Sequence, residues 1–170
     1  GFNSLYKIAN IIVSSIKNGG KLIICGNGGS AADAQHLVAE LLVRLKSNVN
    51  REPIPAITLA QDTSTITACG NDYSFEEIYS RNLLALGNEN DCLLVISTSG
   101  KSKNIINAMN TAIKKKISVC AFLGNDGGDC LKLSDQSFIV PSELTSTIQE
   151  CHITAGHALM EIIEDQIIEN

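Results

Sequence analysis

Five short apolar runs, none of which alternates between apolar and polar residues, constrain the fold of this 170-residue chain more than any other feature. Strands buried on both faces have this pattern, which is typical of parallel sheets covered by helices on both sides. The runs predict strands at Lys21–Cys25, Ile54–Leu59, Cys92–Thr98, Ile117–Leu123 and Ser137–Val140. Because segments of helical periodicity separate the runs, the chain is predicted to form a doubly wound α/β sandwich around a parallel sheet.

The segments between and around the runs predict helices. These helices are expected at Leu5–Lys17, Ala31–Leu45, Thr65–Cys69, Phe75–Leu86, Lys103–Lys115 and Thr145–Ile168. Ser30 is placed to cap the second of them through its hydroxyl. The length of the chain favours one domain over residues 1–170.

Composition excludes several classes of partner. The net charge of −5 argues against nucleic acid or an anionic membrane as the main partner. No apolar run approaches the ~20 residues that span a bilayer, and the N-terminus lacks the features of a signal peptide. The six cysteines form no CxxC pair, so we expect buried free thiols in a cytoplasmic protein.

The segment "STSGKS", Ser97 to Ser102, follows the third predicted strand and begins a helix. Open α/β sheets bind ligands beyond the carboxyl ends of their strands, and free N–H groups at a helix start favour an anion. The hydroxyls there suit a phosphate monoester. We therefore favour phosphate binding over the alternative, a serine-rich helix cap without a ligand. A P-loop is excluded because Val95 stands where that motif needs its first glycine.

The segment "CGNGGSAADAQHLVAE" follows the first strand and begins the next helix. Gly26 and Gly28 match the first two places of a dinucleotide-binding G-x-G-x-x-G motif, but Ala31 stands at the third. A dinucleotide site is therefore poorly supported. The glycines would instead let the backbone approach another polar ligand closely.

All three histidines of the chain lie in two short segments, "AQHLVAE" and "IQECHITAGH". His36 and Glu40 share one helix face, as proton-transfer groups, metal ligands or a surface ion pair. Gln149 and His157 could join them from the last helix, although eight residues of helix span about 12 Å. A kink or a neighbouring subunit would shorten that reach. His152 is offset from His157 by about 140° around the helix, so it is expected to pack inside or to support the ligand residues from behind, and not to bind a metal itself.

Four segments together resemble the sugar isomerase (SIS) domain family, and specifically its sedoheptulose-7-phosphate isomerases. They are "CGNGGSAADAQHLVAE", "GNDYSFEEIYSR", "ALGNENDCLLVISTSGKSKN" and "IQECHITAGH", in order over nearly the whole chain. The resemblance implies a flavodoxin-like three-layer SIS domain with five parallel strands. It also implies conversion of sedoheptulose 7-phosphate to D-glycero-D-manno-heptose 7-phosphate, the first step toward nucleotide-activated heptose. Family members usually carry an additional N-terminal helical segment, so we expect one before residue 1.

Carried onto the matching positions, the resemblance implies a site with three groups of residues. The sugar would contact Asn27, Gly28, Gly29, Ser30, Asn71 and Asp72. The phosphate would be held by Ser97, Thr98, Ser99 and Ser102. One Zn²⁺ per subunit would be bound by His36, Glu40, Gln149 and His157. Glu40 and Gln149 would also touch the substrate, and Glu40 and His157 would transfer its protons.

The resemblance further implies a homotetramer with sites at the subunit contacts. Two alternatives stay open: an isomerase of another sugar phosphate, and a non-catalytic SIS tetramer that binds a replication initiator protein. Such binding proteins typically lack the acid at the position of Glu40 and the histidine at that of His157, and both are present here. One departure from the family is "LTSTIQE", where Ser146 and Thr147 replace a usual acid and arginine.

Overall fold

The structure is a computed structural model that describes residues 2–60 and 62–168. Its helices are α1 Phe2–Lys17, α2 Gly29–Leu42, α3 Thr63–Asp72, α4 Ile78–Leu86, α5 Lys103–Lys114, α6 Gly128–Leu133 and α7 Thr145–Ile168. Its strands are β1 Leu22–Gly26, β2 Ala56–Thr58, β3 Cys92–Ser97, β4 Ser118–Gly124 and β5 Gln136–Val140. A short 3-10 helix, Phe75–Glu77, precedes α4.

The five strands form one parallel sheet in the order β2-β1-β3-β4-β5. The strand order reverses direction at β1 and β3, so the helices pack on both faces. Every residue of β1 and of β3 is buried, which explains why their sequences are apolar without alternation. The predicted doubly wound five-stranded sheet is confirmed.

Successive residues of β1 point into two separate cores. Leu22 and Ile24 pack with α1, α2 and α7 on one face of the sheet. Ile23 and Cys25 pack with α4 and α5 on the other. Each of the six cysteines lies in the described ranges and is a free thiol, five of them buried, as expected from the sequence. Within the described ranges, no helix is long and apolar enough to cross a membrane.

The N-terminus of α2 differs from the prediction. Gly28, not Ser30, is the N-cap residue, and its φ of 57° lets the chain turn directly from β1 into the helix. Ser30 lies inside the first turn and is buried, so its hydroxyl does not cap α2. The helix also ends at Leu42 instead of Leu45, which leaves Arg44 outside it.

Two further helical segments were incompletely predicted. The short helix expected at Thr65–Cys69 extends over all of α3, since the Asp62 carboxylate accepts from the Thr65 N–H at 2.7 Å and caps it. Asn71 and Asp72 therefore belong to a helix end and not to a loop. The sequence did not predict α6, whose six residues are too few to show a helical period.

His152 is buried in the packing between α7 and β4, as its angular offset predicted. It is 1% exposed, and its Nε2–H donates to the Leu123 carbonyl oxygen at 3.1 Å. Its ring lies 5.8 Å from that of Phe122. Burial lowers the pKa of His152 below its ordinary value of 6.5.

This burial predicts that acid destabilises the protein. Below about pH 6.5 the unfolded chain binds a proton at His152 that the folded chain does not, so the free energy of unfolding falls as pH falls toward the lower folded pKa. The slope from this group is at most about 1.4 kcal/mol per pH unit. Urea unfolding at pH 7.5 and 5.5 measures the drop, and His152→Gln should reduce it. An equal drop in that variant would contradict the assignment.

Candidate active site

Two loops meet at the carboxyl edge of the sheet because β1 and β3 are neighbours. We call residues 26–30 the glycine loop and residues 97–102 the serine loop. The side-chain amides of Asn27 and Asn104 join the glycine loop to the first turn of α5, directly after the serine loop, by two reciprocal hydrogen bonds of 2.9 and 2.8 Å. The Tyr79 hydroxyl donates to the Gly26 carbonyl oxygen and fixes the other side of the glycine loop. Sequence analysis missed Asn104 and Tyr79, since no residue pattern links them to Asn27.

The serine loop combines fixed and free hydroxyls. The buried Ser97 Oγ accepts from the Gly100 N–H at 3.1 Å and shapes the turn, and Ser99 Oγ accepts from the Lys101 N–H at 3.2 Å. Ser102 is the N-cap residue of α5, but its hydroxyl makes no capping hydrogen bond. Hydroxyls and the N-terminus of a helix are therefore presented together, which favours an anion.

A cavity of about 150 Å³ adjoins the serine loop. Thr98, Ser99 and Lys101 line one side of it, and Thr145 lies across from them at the start of α7. Gly100 lets this loop pack tightly, because a Cβ there would lie 2.0 Å from the Gly127 carbonyl oxygen. The lining is largely polar and includes one cation, Lys101, and one carboxylate, Glu143, so the hydroxyls and Lys101 are the groups there that could bind a phosphate.

Gln149 lies against the glycine loop. A Cβ on Gly29 would be 2.4 Å from Gln149 Nε2, so this side chain lies directly against the Gly29 backbone and would have to shift if residue 29 were larger. Seven residues of α2, about 10 Å along the helix axis, separate Gly29 from His36. Within one chain Gln149 therefore lies beside the sugar-contacting group of residues, about two helical turns from His36 along α2. Its place among the metal ligands stays a prediction.

His36, Glu40 and His157 form a cluster across α2 and α7. His36 Nε2 is 2.8 Å from His157 Nε2 and 3.2 Å from Glu40 Oε1. One ligand atom from each residue lies within 4.8 Å of the others. The two helices approach closely because Gly156 lacks a side chain, and a Cβ there would be 2.8 Å from Leu37. The long-range pairing expected from the sequence is therefore present.

This cluster has the donors and the charge of a cation site. Two zinc-bound nitrogens at the usual bond length lie about 3.3 Å apart in a tetrahedral site, so a shift of a few tenths of an ångström accommodates a metal ion. The His36 side chain is 48% exposed and that of Glu40 is 17% exposed, so the cluster is open on one side. Two imidazoles and a carboxylate can thus hold a divalent metal ion and leave a position for a ligand.

Asp33 adds negative charge beside the cluster. Burial raises the pKa of its carboxyl, while the nearby His36 and His157 oppose that rise. Its Oδ2 is buried and has no hydrogen-bond partner within the described residues. An acid in this position favours a cation among the histidines. Sequence analysis did not single out Asp33, because only the fold brings it near His157.

Asn71 and Asp72 are exposed at the end of α3, where the Asn71 amide donates to the Asp72 carboxylate at 2.8 Å. Their side chains bond to each other, and the structure does not join them to the glycine loop. Of the predicted site residues, the structure places Gln149 at the glycine loop and joins His36, Glu40 and His157 in one cluster about two helical turns further along α2. The sugar contact expected of Asn71 and Asp72 stays a prediction.

Comparisons with known proteins agree with this arrangement. The family model described as the SIS domain matches residues 2–124. Together with the doubly wound sheet and the two loops at its carboxyl edge, this match defines the class: a SIS-domain protein.

Individual relatives narrow the class. A phosphoheptose isomerase of Chlorobaculum parvum is 47% identical over 161 residues, which cover 94% of this chain and 77% of the relative. One of Aquifex aeolicus is 47% identical over 162 residues, covering 95% and 84%. The solved structure of a phosphoheptose isomerase from Francisella tularensis has a TM-score of 0.90 and 41% identity over 96% of this chain and 86% of that one. The chain belongs to the phosphoheptose isomerase family.

Proposed function

We propose that this protein is an aldose–ketose isomerase that converts sedoheptulose 7-phosphate to D-glycero-D-manno-heptose 7-phosphate. The cluster of His36, Glu40 and His157, about two helical turns along α2 from the glycine loop, carries the proposal. Its residues come from α2 and α7, which are far apart in sequence, and they combine acid–base and metal-binding groups at one position. Family membership supports the same reaction.

The serine loop would hold the phosphate end of the substrate. Thr98, Ser99 and Ser102 offer hydroxyls at the N-terminus of α5, and Ser97 fixes the loop from below. Asn27, Gly28 and Gly29 would contact the sugar hydroxyls from the glycine loop, with Gln149 beside them. A sugar phosphate bound with its phosphate at the serine loop and its hydroxyls at the glycine loop would have its carbonyl end directed toward α2.

Isomerisation requires a proton to move between C1 and C2 through an enediol. Glu40 would act as the base that removes the proton from one carbon and returns it to the other. His157 would move a proton to and from the neighbouring oxygens. The two side chains lie in one region because both contact His36. Glu40 contacts it from the next turn of α2, and His157 contacts it from α7.

His36, Glu40 and His157 would bind one Zn²⁺, for which two imidazoles and a carboxylate are a suitable donor set. When bound, the ion would supply positive charge that stabilises the enediolate oxygens. Gln149 of the same chain lies at Gly29, about two helical turns from His36. In the proposed homotetramer with sites at subunit contacts, Gln149 of a neighbouring subunit would take the position that the three residues leave open.

The proposed cellular role is the first step toward nucleotide-activated heptose, in the cytoplasm. The alternative of a non-catalytic SIS protein that binds a replication initiator is disfavoured by the observed cluster. A protein of that kind needs no acid–base pair, whereas Glu40 and His157 here both contact the side chain of His36.

A single experiment tests the reaction. The protein is incubated with sedoheptulose 7-phosphate in deuterated water, and the product is followed by NMR. We expect the aldose to accumulate with deuterium at C2, because the proton on that carbon passes through an exchangeable base. Absence of turnover by folded, zinc-loaded protein would reject the proposed substrate and favour another sugar phosphate or the binding function.

A further inference from the structure

A buried ion pair joins the loop after α2 to the helix α7. Arg51 Nε donates to Glu164 Oε2 at 2.7 Å. The side chains are 5% and 0% exposed, so both charges are removed from water. This pair lies outside the groups that would touch substrate, and the proposed reaction makes no use of it.

The same guanidinium holds the end of α2. Arg51 Nη2 donates to the Glu40 carbonyl oxygen at 2.8 Å, and Nη1 donates to the Leu41 carbonyl oxygen at 2.9 Å. Carbonyls in the last turn of a helix have no partner within that helix. Since α2 ends at Leu42, the described residues give the Glu40 carbonyl one donor, and that donor is Arg51.

Glu164 lies seven residues, or about two turns, after His157 on α7. Arg51 therefore connects the backbone of Glu40 directly to the helix that carries His157. The Ile54 N–H also donates to the Leu41 carbonyl oxygen at 3.0 Å, so Leu41 keeps a partner without Arg51, but Glu40 does not.

Stability alone does not account for this pair. Glu164 Oε1 is buried and has no hydrogen-bond partner within the described residues. Desolvating two charges costs as much as a buried ion pair commonly returns, and apolar residues of similar volume often stabilise a protein equally well or better. A feature that adds little to folding but fixes two site-bearing helices is expected to act through geometry.

We propose that Arg51 and Glu164 are positioning residues, which set the place of Glu40 relative to His157 and so the spacing of the three-residue cluster. The inference rests on the proposed function of that cluster. Arg51 acts through the backbone of Glu40, and Glu164 acts by orienting Arg51 with its carboxylate.

The test separates stability from geometry with an apolar pair, Arg51→Met combined with Glu164→Leu. We expect this variant to fold and to melt near the wild-type temperature, because no buried charge is left unpaired and this gain offsets the lost donor to the Glu40 carbonyl. We expect kcat for sedoheptulose 7-phosphate and the affinity for Zn²⁺ each to fall about 10- to 100-fold, the range typical of outer partners of metal ligands. KM should change little, since the serine loop is not involved. Zinc affinity is measured by chelator competition.

Three other variants control the interpretation. Glu164→Gln keeps an oxygen for Arg51 Nε and should retain most of the wild-type kcat and zinc affinity. Arg51→Lys lacks the planar guanidinium that donates to the Glu40 and Leu41 carbonyls and to Glu164. In this variant kcat and zinc affinity should each fall about tenfold. Lys46→Met with Asp165→Asn removes a 2.8 Å ion pair that also joins this loop to α7 but is exposed, and it should leave both unchanged.

Wild-type kcat and zinc affinity in the folded apolar pair would overturn the proposal. Should that variant not fold, Arg51→Lys decides in the same way, with wild-type values overturning the proposal and tenfold losses supporting it. An inactive wild-type protein would reject the proposed reaction instead, while zinc affinity would still test the positioning role.

Discussion

Replacement of Glu40 by Gln is expected to lower kcat for sedoheptulose 7-phosphate by about 10²- to 10⁴-fold, the usual contribution of a general base. The amide keeps the shape and an oxygen ligand but cannot accept the proton from carbon. KM should be nearly unchanged, because the proposed phosphate site is the serine loop and does not include Glu40. Steady-state kinetics and loss of deuterium exchange at C2 measure the effect.

Glu161→Gln provides the matched control. Glu161 is four residues beyond His157 on α7, is 54% exposed, and pairs with Lys46 at 3.0 Å. It removes the same charge from the same region, yet it should leave kcat within experimental error. A Glu40→Gln enzyme that isomerised at the wild-type rate would show that Glu40 is not the base.

Removal of bound metal is expected to reduce kcat at least about 100-fold, because a cation worth several kcal/mol to the enediolate would be lost. Added Zn²⁺ should restore activity. The fold should survive, since the cluster is partly exposed and both cores are built from other residues. After dialysis against a chelator, an activity assay with and without added Zn²⁺ measures the loss and recovery of kcat. Circular dichroism measures whether the fold survives.

His36→Ala gives an independent check on the metal. This variant removes the residue that contacts both other members of the cluster. It should bind Zn²⁺ more weakly and should lose activity even when no chelator is added. His152→Gln changes a buried imidazole elsewhere on α7 and should keep its zinc affinity. Full activity in protein that elemental analysis finds free of metal would contradict the assignment.

Much of the fold was predictable because strand burial is visible in the sequence. The runs around Ile24 and Leu94 are apolar at successive positions. In the structure Ile24 and Leu94 face one core, and the residues next to them in sequence, Ile23 and Leu93, face the other. Helix ends were less predictable. Ser30 has the right chemistry for a cap, but the φ of Gly28 starts α2 earlier, and that backbone choice depends on how β1 delivers the chain.

The candidate site was predictable in its parts and not in its geometry. The spacing of His36 and Glu40 places them on one helix face whatever the rest of the chain does. Their contact with His157 depends on the close approach of α7, which Gly156 permits. The place of Gln149 beside Gly29 was likewise not readable from its motif, because it depends on how α7 packs against the start of α2.

The sequence by itself determined the alternation of strands and helices, the chemical groups at each strand end, and the pairing of His36 with Glu40. These are local properties, fixed by periodicity and by residue type. Only the tertiary structure decided which groups share a site. Arg51 and Glu164 are 113 residues apart, and no local pattern relates them. Their contact, like that of His36 with His157, arises because two helices pack side by side on one face of the sheet, and packing depends on the whole chain at once.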